Sequence, residues 1–392
     1  RSAGDYGRYV VPGAKTVADL FLSYRESEAS RGDDFGIPES GNGVPDILDE
    51  ARYELEFFLK MQADNGGVYH KVTCAVFPET VMPEEETDPL IICPVSTAAT
   101  GDFAAVMAMA SGIYKDYDAA FASTCLAAAE KAYGYLDEHA LTDKGGFTNP
   151  EDIVTGEYPD AKVKDEFFWA CVELFLATGD KKYEDKAIEA EDAGFNLGLG
   201  WADVGTYGVY DYMLYAKEND ADKTLCENLQ KALDMQKKRE LKSLKNDVYF
   251  ISLGNNFPWG SNMTVANNAM FYQMIYNLEG DDTFGFYADH GLDYLFGINP
   301  VGYCYVTGYG SISPEHTHHR PSQVVGESVP GMVVGGANSS PSDPYAKAVL
   351  TMRKFGKSYV DNASSFSTNE ITIYWNSPVI YLLSIHADQY AK

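Results

Sequence analysis

The chain has 392 residues, 45% of them hydrophobic and 13% aromatic, with a formal net charge of −28. That composition excludes a disordered chain, and the acidity excludes a nucleic acid or an anionic membrane surface as partner, because phosphate binding needs clustered Lys and Arg and none stands out. A neutral substrate is indifferent to the charge, which otherwise serves solubility.

Taken in order, residues 1–43 read as irregular with short helical pieces. From Pro45 a helix is predicted, with Leu48, Ala51, Leu55, Phe58 and Leu59 on one face and Asn65-Gly66-Gly67 at its end. Residues 68–95 carry several prolines and no clean period, so they read as a long loop. Ser96 caps the next helix, whose buried stripe is Phe103, Val106, Met107 and Ala110. Another follows over 118–136, then a loop to about residue 164. Helical patterns resume at Asp165, where Phe168, Cys171, Val172 and Phe175 align before Gly179. Further helices are predicted over 181–197, from Tyr207, and over 221–236, 262–277 and 282–296. Residues 297–344 are rich in Gly and Pro and have no period, as in a long functional loop. The last helix is expected to start at Pro378. The total is roughly eleven or twelve helices in consecutive antiparallel pairs, which predicts an all-α toroid of hairpins. No repeat of solenoid length is visible.

No apolar run is long enough for a membrane helix. The six cysteines, Cys74, Cys93, Cys125, Cys171, Cys226 and Cys304, are scattered without a CxxC. They read mostly as buried thiols, with the pairing of Cys74 and Cys93 left open. Arg1-Ser2 does not resemble a natural start, so the chain reads as one domain over 1–392, truncated at its N-terminus.

Chemistry concentrates in Tyr359–Ser377, where Asp361 and Glu370 lie among Tyr359, Phe366, Tyr374 and Trp375. Aromatic faces stack on sugar rings, and an apolar wall keeps one carboxyl protonated near neutral pH. The plainer alternative is that Asp361 caps a turn and Glu370 faces solvent. His316-Thr317-His318-His319-Arg320 fits no ordinary metal spacing and suits donors to sugar hydroxyls. Asp5, in Ala3-Gly4-Asp5-Tyr6-Gly7, sits in a tight turn. Asp165-Glu166 and Asp203, near Trp201, have the oxygen-ligand character that suits calcium.

Together these pieces resemble glycoside hydrolase family 9, the inverting cellulases with an (α/α)6 barrel. The family's C-terminal signature is matched at Tyr359, Asp361, Phe366, Glu370, Thr372, Asn376 and Ser377. Its histidine signature is matched more loosely over Tyr305–Gly310 and His318-His319-Arg320, with Gly310 where Asn, Lys or Arg is usual. Its N-terminal motif Asp-Ala-Gly-Asp-Tyr-Gly reads Ser2-Ala3-Gly4-Asp5-Tyr6-Gly7 here.

The resemblance implies an endo-1,4-β-glucanase, secreted and monomeric, acting on β-1,4-glucan without a cofactor for its chemistry. It implies Glu370 as general acid and Asp5 as general base, with Asp361 ordering the loop between them. His70, His318 and Arg320 are expected to bind substrate, Trp259 and Trp375 to form stacking walls, and Asp165, Glu166 and Asp203 to hold a structural calcium. Ser2 stands where the motif has an Asp that helps hold the attacking water, so weak turnover is expected. The alternatives are an exo-acting β-glucosidase or glucosaminidase of the same family, and a carbohydrate-binding protein without turnover.

Overall fold

The computed structural model describes residues 4–140 and 146–390. Ser2, and with it the expectation of weak turnover, lies outside them. The described residues form fourteen α-helices and five short strands, so the all-α expectation holds. They fall into two compact units.

The larger unit comprises Arg8–Ala75, Leu90–Gln236 and residues 384–390. Its helices are α1 (Val10–Glu26), α2 (Asp46–Met61), α3 (Thr97–Ile113), α4 (Ala119–His139), α5 (Lys164–Thr178), α6 (Lys181–Ala193), α7 (Gly205–Ala216) and most of α8 (Lys223–Leu244). Helix α3 is the hub and packs on α1, α4 and α5. Ser96 caps it, accepting a hydrogen bond from the Ala99 N–H at 3.1 Å. Small residues let its neighbours come close: a Cβ at Gly101 would lie 2.5 Å from the Glu166 Cβ on α5.

Two expectations fail in this unit. Residues 10–26, read as irregular, form the long helix α1. Val10–Ala14 and Val17–Ser23 are all buried, so the helix has no solvent face and leaves no amphipathic period to read. Pro12 sits in its first turn, where a missing N–H does no harm. The segment 68–95 is also not all loop. β1 (Arg8–Tyr9), β3 (Lys71–Thr73) and β4 (Ile91–Ile92) form an antiparallel sheet in that order, with Arg8 opposite Val72 and Val72 opposite Ile92. β2 (Val68–Tyr69) pairs with β5 (Val95–Ser96), Val68 opposite Ser96. Strands of two or three residues are too short to show alternation.

The smaller unit comprises residues 4–7, Val76–Pro89 and Lys237–Leu383. Its frame is the pair α9 (Ser261–Glu279) and α10 (Asp282–Leu295). Gly280, at φ +69°, ends α9, and the Asp281 carboxylate caps α10 on the Thr283 N–H. The long segment after α10 is mostly irregular, as expected, with short helices α11 (Arg320–Val325), α12 (Pro344–Val349) and α13 (Phe366–Asn369). Helix α14 (Ile373–Tyr390) starts five residues ahead of Pro378, which lies inside it. The Asn376 side chain donates to the Thr372 carbonyl at 2.6 Å and supports that first turn.

All six cysteines are free. Among the described residues no helix is long and apolar enough to cross a membrane.

Candidate active site

Three segments of the smaller unit meet through backbone hydrogen bonds. Gly4 N–H donates to the Ile371 carbonyl at 3.1 Å, His318 N–H to Asn369 at 2.8 Å, and Arg320 N–H to Gly4 at 3.4 Å. His318 and Glu370 form a single parallel bridge. Gly4 must be glycine here, because a Cβ would lie 3.1 Å from the His318 carbonyl and 3.2 Å from the His319 Cα. Asp5 follows Gly4 and Glu370 precedes Ile371, so the Gly4–Ile371 bond brings the two acids to one place from opposite ends of the chain.

The Asp5 turn is held under strain. Tyr6 has φ +68°, a left-handed conformation that is rare for an aromatic residue. Its hydroxyl donates to the Val81 carbonyl at 2.6 Å, and the Arg320 guanidinium lies 6.0 Å from its ring centre. The Asp5 carboxylate accepts the Gly7 N–H at 2.9 Å. Burial raises the Asp5 pKa, while the Gly7 N–H and the charges of Arg320 and His318 oppose the rise. Burial pushes Glu370 up to about 8, helped by the Asp5 charge and opposed by the Trp259 N–H and Arg320. Glu370 is thus kept neutral at pH 7, and at both acids burial outweighs the N–H and cationic partners that favour the ionised form.

The neighbouring residues do less uniform work than expected. Arg320 is buried, and its guanidinium donates to the carbonyls of Pro78 (2.8 Å), Glu79 (3.2 Å) and Gly4 (3.0 Å). It clamps the Asp5 turn to loop 76–89 and supplies charge to both acids. His318 donates Nδ1–H to the Ala363 carbonyl at 2.7 Å, and burial lowers its pKa. Its neutral ring therefore leaves Nε2 as an acceptor, not as the donor expected. Asp361 accepts the N–H groups of Glu315 (2.8 Å) and His316 (3.0 Å) and the Asn369 amide (2.8 Å), tying the histidine segment to the residue before Glu370.

The two tryptophans separate. Trp259 is 45% exposed and has one face against Phe366, with centroids 5.4 Å apart. Trp375 is only 3% exposed. Its ring is so close under Gly260 and Gly335 that a Cβ at either would lie about 3 Å away (3.0 and 2.9 Å). Trp375 is therefore a core residue and not a stacking wall. The signature spacing placed it near the acid, but that spacing carries no information on which way the ring turns.

The remaining candidates lie in the larger unit. His70 is buried and stacks on Phe147 at 3.9 Å. Both ring nitrogens are engaged, Nδ1 with the Ser96 hydroxyl (2.8 Å) and Nε2 with the Glu157 carbonyl (3.0 Å), and burial lowers its pKa to about 4. Its ring thus ties β2–β3 to the α3 cap and has no nitrogen free for a sugar.

Asp165 and Glu166 open α5 as buried carboxyls. Asp165 accepts the Val204 N–H at 2.9 Å, and the adjacent Asp203 accepts the Asn196 amide at 3.1 Å. Two acids absent from the sequence reading, Asp102 and Asp160, join them. No donor reaches either oxygen of Asp102 or of Glu166. The charges of Asp102, Asp160 and Asp165 all raise the Glu166 pKa, after burial itself. Buried carboxyls without donors have the oxygen chemistry that a hard divalent cation would offset, but among the described residues these acids do not bring three ligand oxygens within 4.8 Å of one another. The overlooked signal was Asp102 itself, a lone acid in the otherwise apolar run Ala98–Ala110 of α3.

With this geometry in hand, known proteins give it a context. The family model described as "Glycosyl hydrolase family 9" matches residues 2–383. A cellodextrinase of Butyrivibrio fibrisolvens is 36% identical over 97% of this chain and 73% of its own length. A xyloglucan-specific endo-beta-1,4-glucanase of Bacteroides ovatus is 32% identical, over 97% of this chain and 67% of its own. Endoglucanase D of Acetivibrio thermocellus is also 32% identical over 97% of this chain, which spans 59% of it. Among solved structures, a single-mutant thermostable endoglucanase from Alicyclobacillus acidocaldarius superposes with a TM-score of 0.91 at 38% identity, over 98% of this chain and 73% of that one. A metagenome-derived family 9 endoglucanase gives 0.91 at 32% identity, over 99% and 70%. The fold is of their (α/α)6 barrel type. A match from residue 2 to residue 383, with relatives above 30% identity along nearly all of its length, means that the chain belongs to glycosyl hydrolase family 9.

Proposed function

We propose that the chain hydrolyses β-1,4-glucan by endo attack with inversion, with Glu370 as general acid and Asp5 as general base. The observation that carries this reading is the Gly4–Ile371 bond, which sets Asp5 beside a Glu370 whose pKa is pushed up to about 8. Neutral Glu370 gives its proton to the departing glycosidic oxygen. Asp5 takes a proton from a water that attacks the anomeric carbon from the opposite face. The bond breaks as the new C–O bond forms, in one displacement, and solvent resets both acids. Such a layout leaves room for the water when the carboxyls are about 6.5–9.5 Å apart. Asp361 holds the loop between the histidines and the acid, and Ser2 in place of an acidic residue lowers turnover.

The test uses Glu370→Gln and Asp5→Asn on soluble cellulose derivatives, following reducing ends and viscosity together. Each variant should lose about 10²–10⁴-fold in kcat. Full activity of Glu370→Gln would remove the acid assignment. In the parent chain viscosity should collapse early, as endo attack requires. The cellodextrinase relative at 36% identity supports a second reading, action on short oligomers, in which viscosity falls slowly as ends accumulate. Converting Ser2 to Asp should raise turnover.

Three further elements belong to this proposal. Asp165, Glu166 and Asp203, with Asp102 and Asp160, would hold a calcium that stabilises the α3–α5 contact and takes no part in the bond cleavage. The enzyme works outside the cell, because an insoluble polymer does not cross a membrane. It acts as a monomer.

A further inference from the structure

Trp259 is half-exposed, and its polar atom is turned to the acid. The indole Nε1–H donates to Glu370 Oε2 at 3.1 Å. Both partners hang from one frame. Phe257 N–H donates to the Ser339 hydroxyl at 3.1 Å, and the Ser261 hydroxyl donates to the Ala337 carbonyl at 2.6 Å, so the residues flanking Trp259 are fixed to segment 337–339. Gly335 N–H donates to the Glu370 carbonyl at 3.1 Å, which fixes the acid to the same stretch. Gly260 follows Trp259 with φ +74°, directly over the Trp375 ring. A side chain there would meet both a disfavoured backbone conformation and that ring.

We infer that Trp259 is a positioning residue for the general acid, occupying Oε2 of Glu370 so that the transferable proton resides on Oε1, and stabilising the carboxylate left when that proton departs. The inference rests on the reading of Glu370 as acid. An indole N–H is a donor only, so it favours the oxygen without a proton and leaves the other as the O–H. It binds the carboxylate more strongly than the neutral acid, because a charge-assisted hydrogen bond is the stronger one. The charge that grows on Glu370 as it gives up its proton is therefore met in the transition state by a dipole already in place. The N–H lies in the ring plane. The ring face away from Phe366 therefore stays available to a sugar while the N–H holds the acid.

The variant Trp259→Phe keeps an aromatic ring and removes the N–H. It is compared with the parent on two aryl β-cellobiosides, one with a phenol leaving group and one with dinitrophenol, which leaves without protonation. The expected result is a loss of about tenfold in kcat on the phenyl substrate, with less than about twofold on the dinitrophenyl one. The alkaline limb of the phenyl pH profile should move to higher pH, because Glu370 loses a partner that favours its ionised form. Equal losses on both substrates with an unmoved limb would reduce Trp259 to a stacking wall and overturn the inference. A second measurement needs no variant at Trp259. One of the four tryptophan indole N–H resonances should titrate with the alkaline limb in the parent protein and not in Glu370→Gln; absence of any such resonance overturns the inference too. If Glu370→Gln keeps full activity, the acid reading itself has failed. If it collapses while Trp259→Phe shows neither signature, only the role of Trp259 has.

Discussion

Two groups of carboxyls in this protein are pushed up by burial, and their surroundings differ. In the smaller unit Asp5 and Glu370 are partly exposed and have named compensation: the Gly7 N–H, Arg320 and the Trp259 N–H. In the larger unit Asp102, Asp160, Asp165 and Glu166 are buried, and Asp102 and Glu166 have no donor at all. A raised carboxyl pKa therefore does not by itself mark a catalytic acid. Donors aimed at a carboxyl that is partly exposed are what a group exchanging a proton with solvent would need. The interior carboxyls of Asp102 and Glu166 have no such compensation.

The contrast extends to the tryptophans and gives the largest effect on stability. Trp375→Ala should destabilise the fold by about 3–5 kcal/mol in urea unfolding, since it empties a buried site. Trp259→Ala, at a half-exposed ring, should change stability far less and activity far more. Equal stability losses would erase the distinction drawn between them. The acid cluster comes next. Calcium at a hundredfold over its Kd should stabilise the protein by about 2.7 kcal/mol, and a chelator should reverse the gain. Asp102→Asn should narrow the gap in Tm between calcium-loaded and chelated protein. An unchanged gap would take Asp102 out of the cation's surroundings.

The smallest effect sharpens the other side. Glu370 must be protonated to act, and its pKa is about 8, so activity should fall as pH rises through that value. Stability carries the same sign. Unfolded glutamate titrates at about 4.3, so between there and about 8 the folded chain holds a proton that the unfolded chain has lost, and stability declines as pH rises through that window. In Glu370→Gln the slope should flatten, as read from Tm against pH.

How much the sequence disclosed depended on whether the information was local. The spacing from Tyr359 to Ser377 and the Gly4-Asp5-Tyr6-Gly7 turn are short stretches, and they located the two acids. The pairing of His318 with Glu370 follows from a bridge between segments about fifty residues apart in the chain, which no window displays. Helix α1 was hidden by its own burial on every side. His70 and Trp375 sit in suggestive motifs, but their partners, Ser96 and Glu157 for one and Gly260 and Gly335 for the other, are set by tertiary packing. Asp102 is visible in the sequence as a charge in an apolar helix, but its companions arrive from the segment around α5, so α3 alone does not show what it faces.

Asp5 and Glu370 acting from opposite faces of one sugar ring would invert the anomeric centre. Proton NMR of the first-formed sugar, recorded before mutarotation, reads this directly. The α-anomer is expected at the newly made reducing end of a β-linked substrate. The β-anomer appearing first would mean retention, and the assignment of Asp5 as a base acting on water would be wrong.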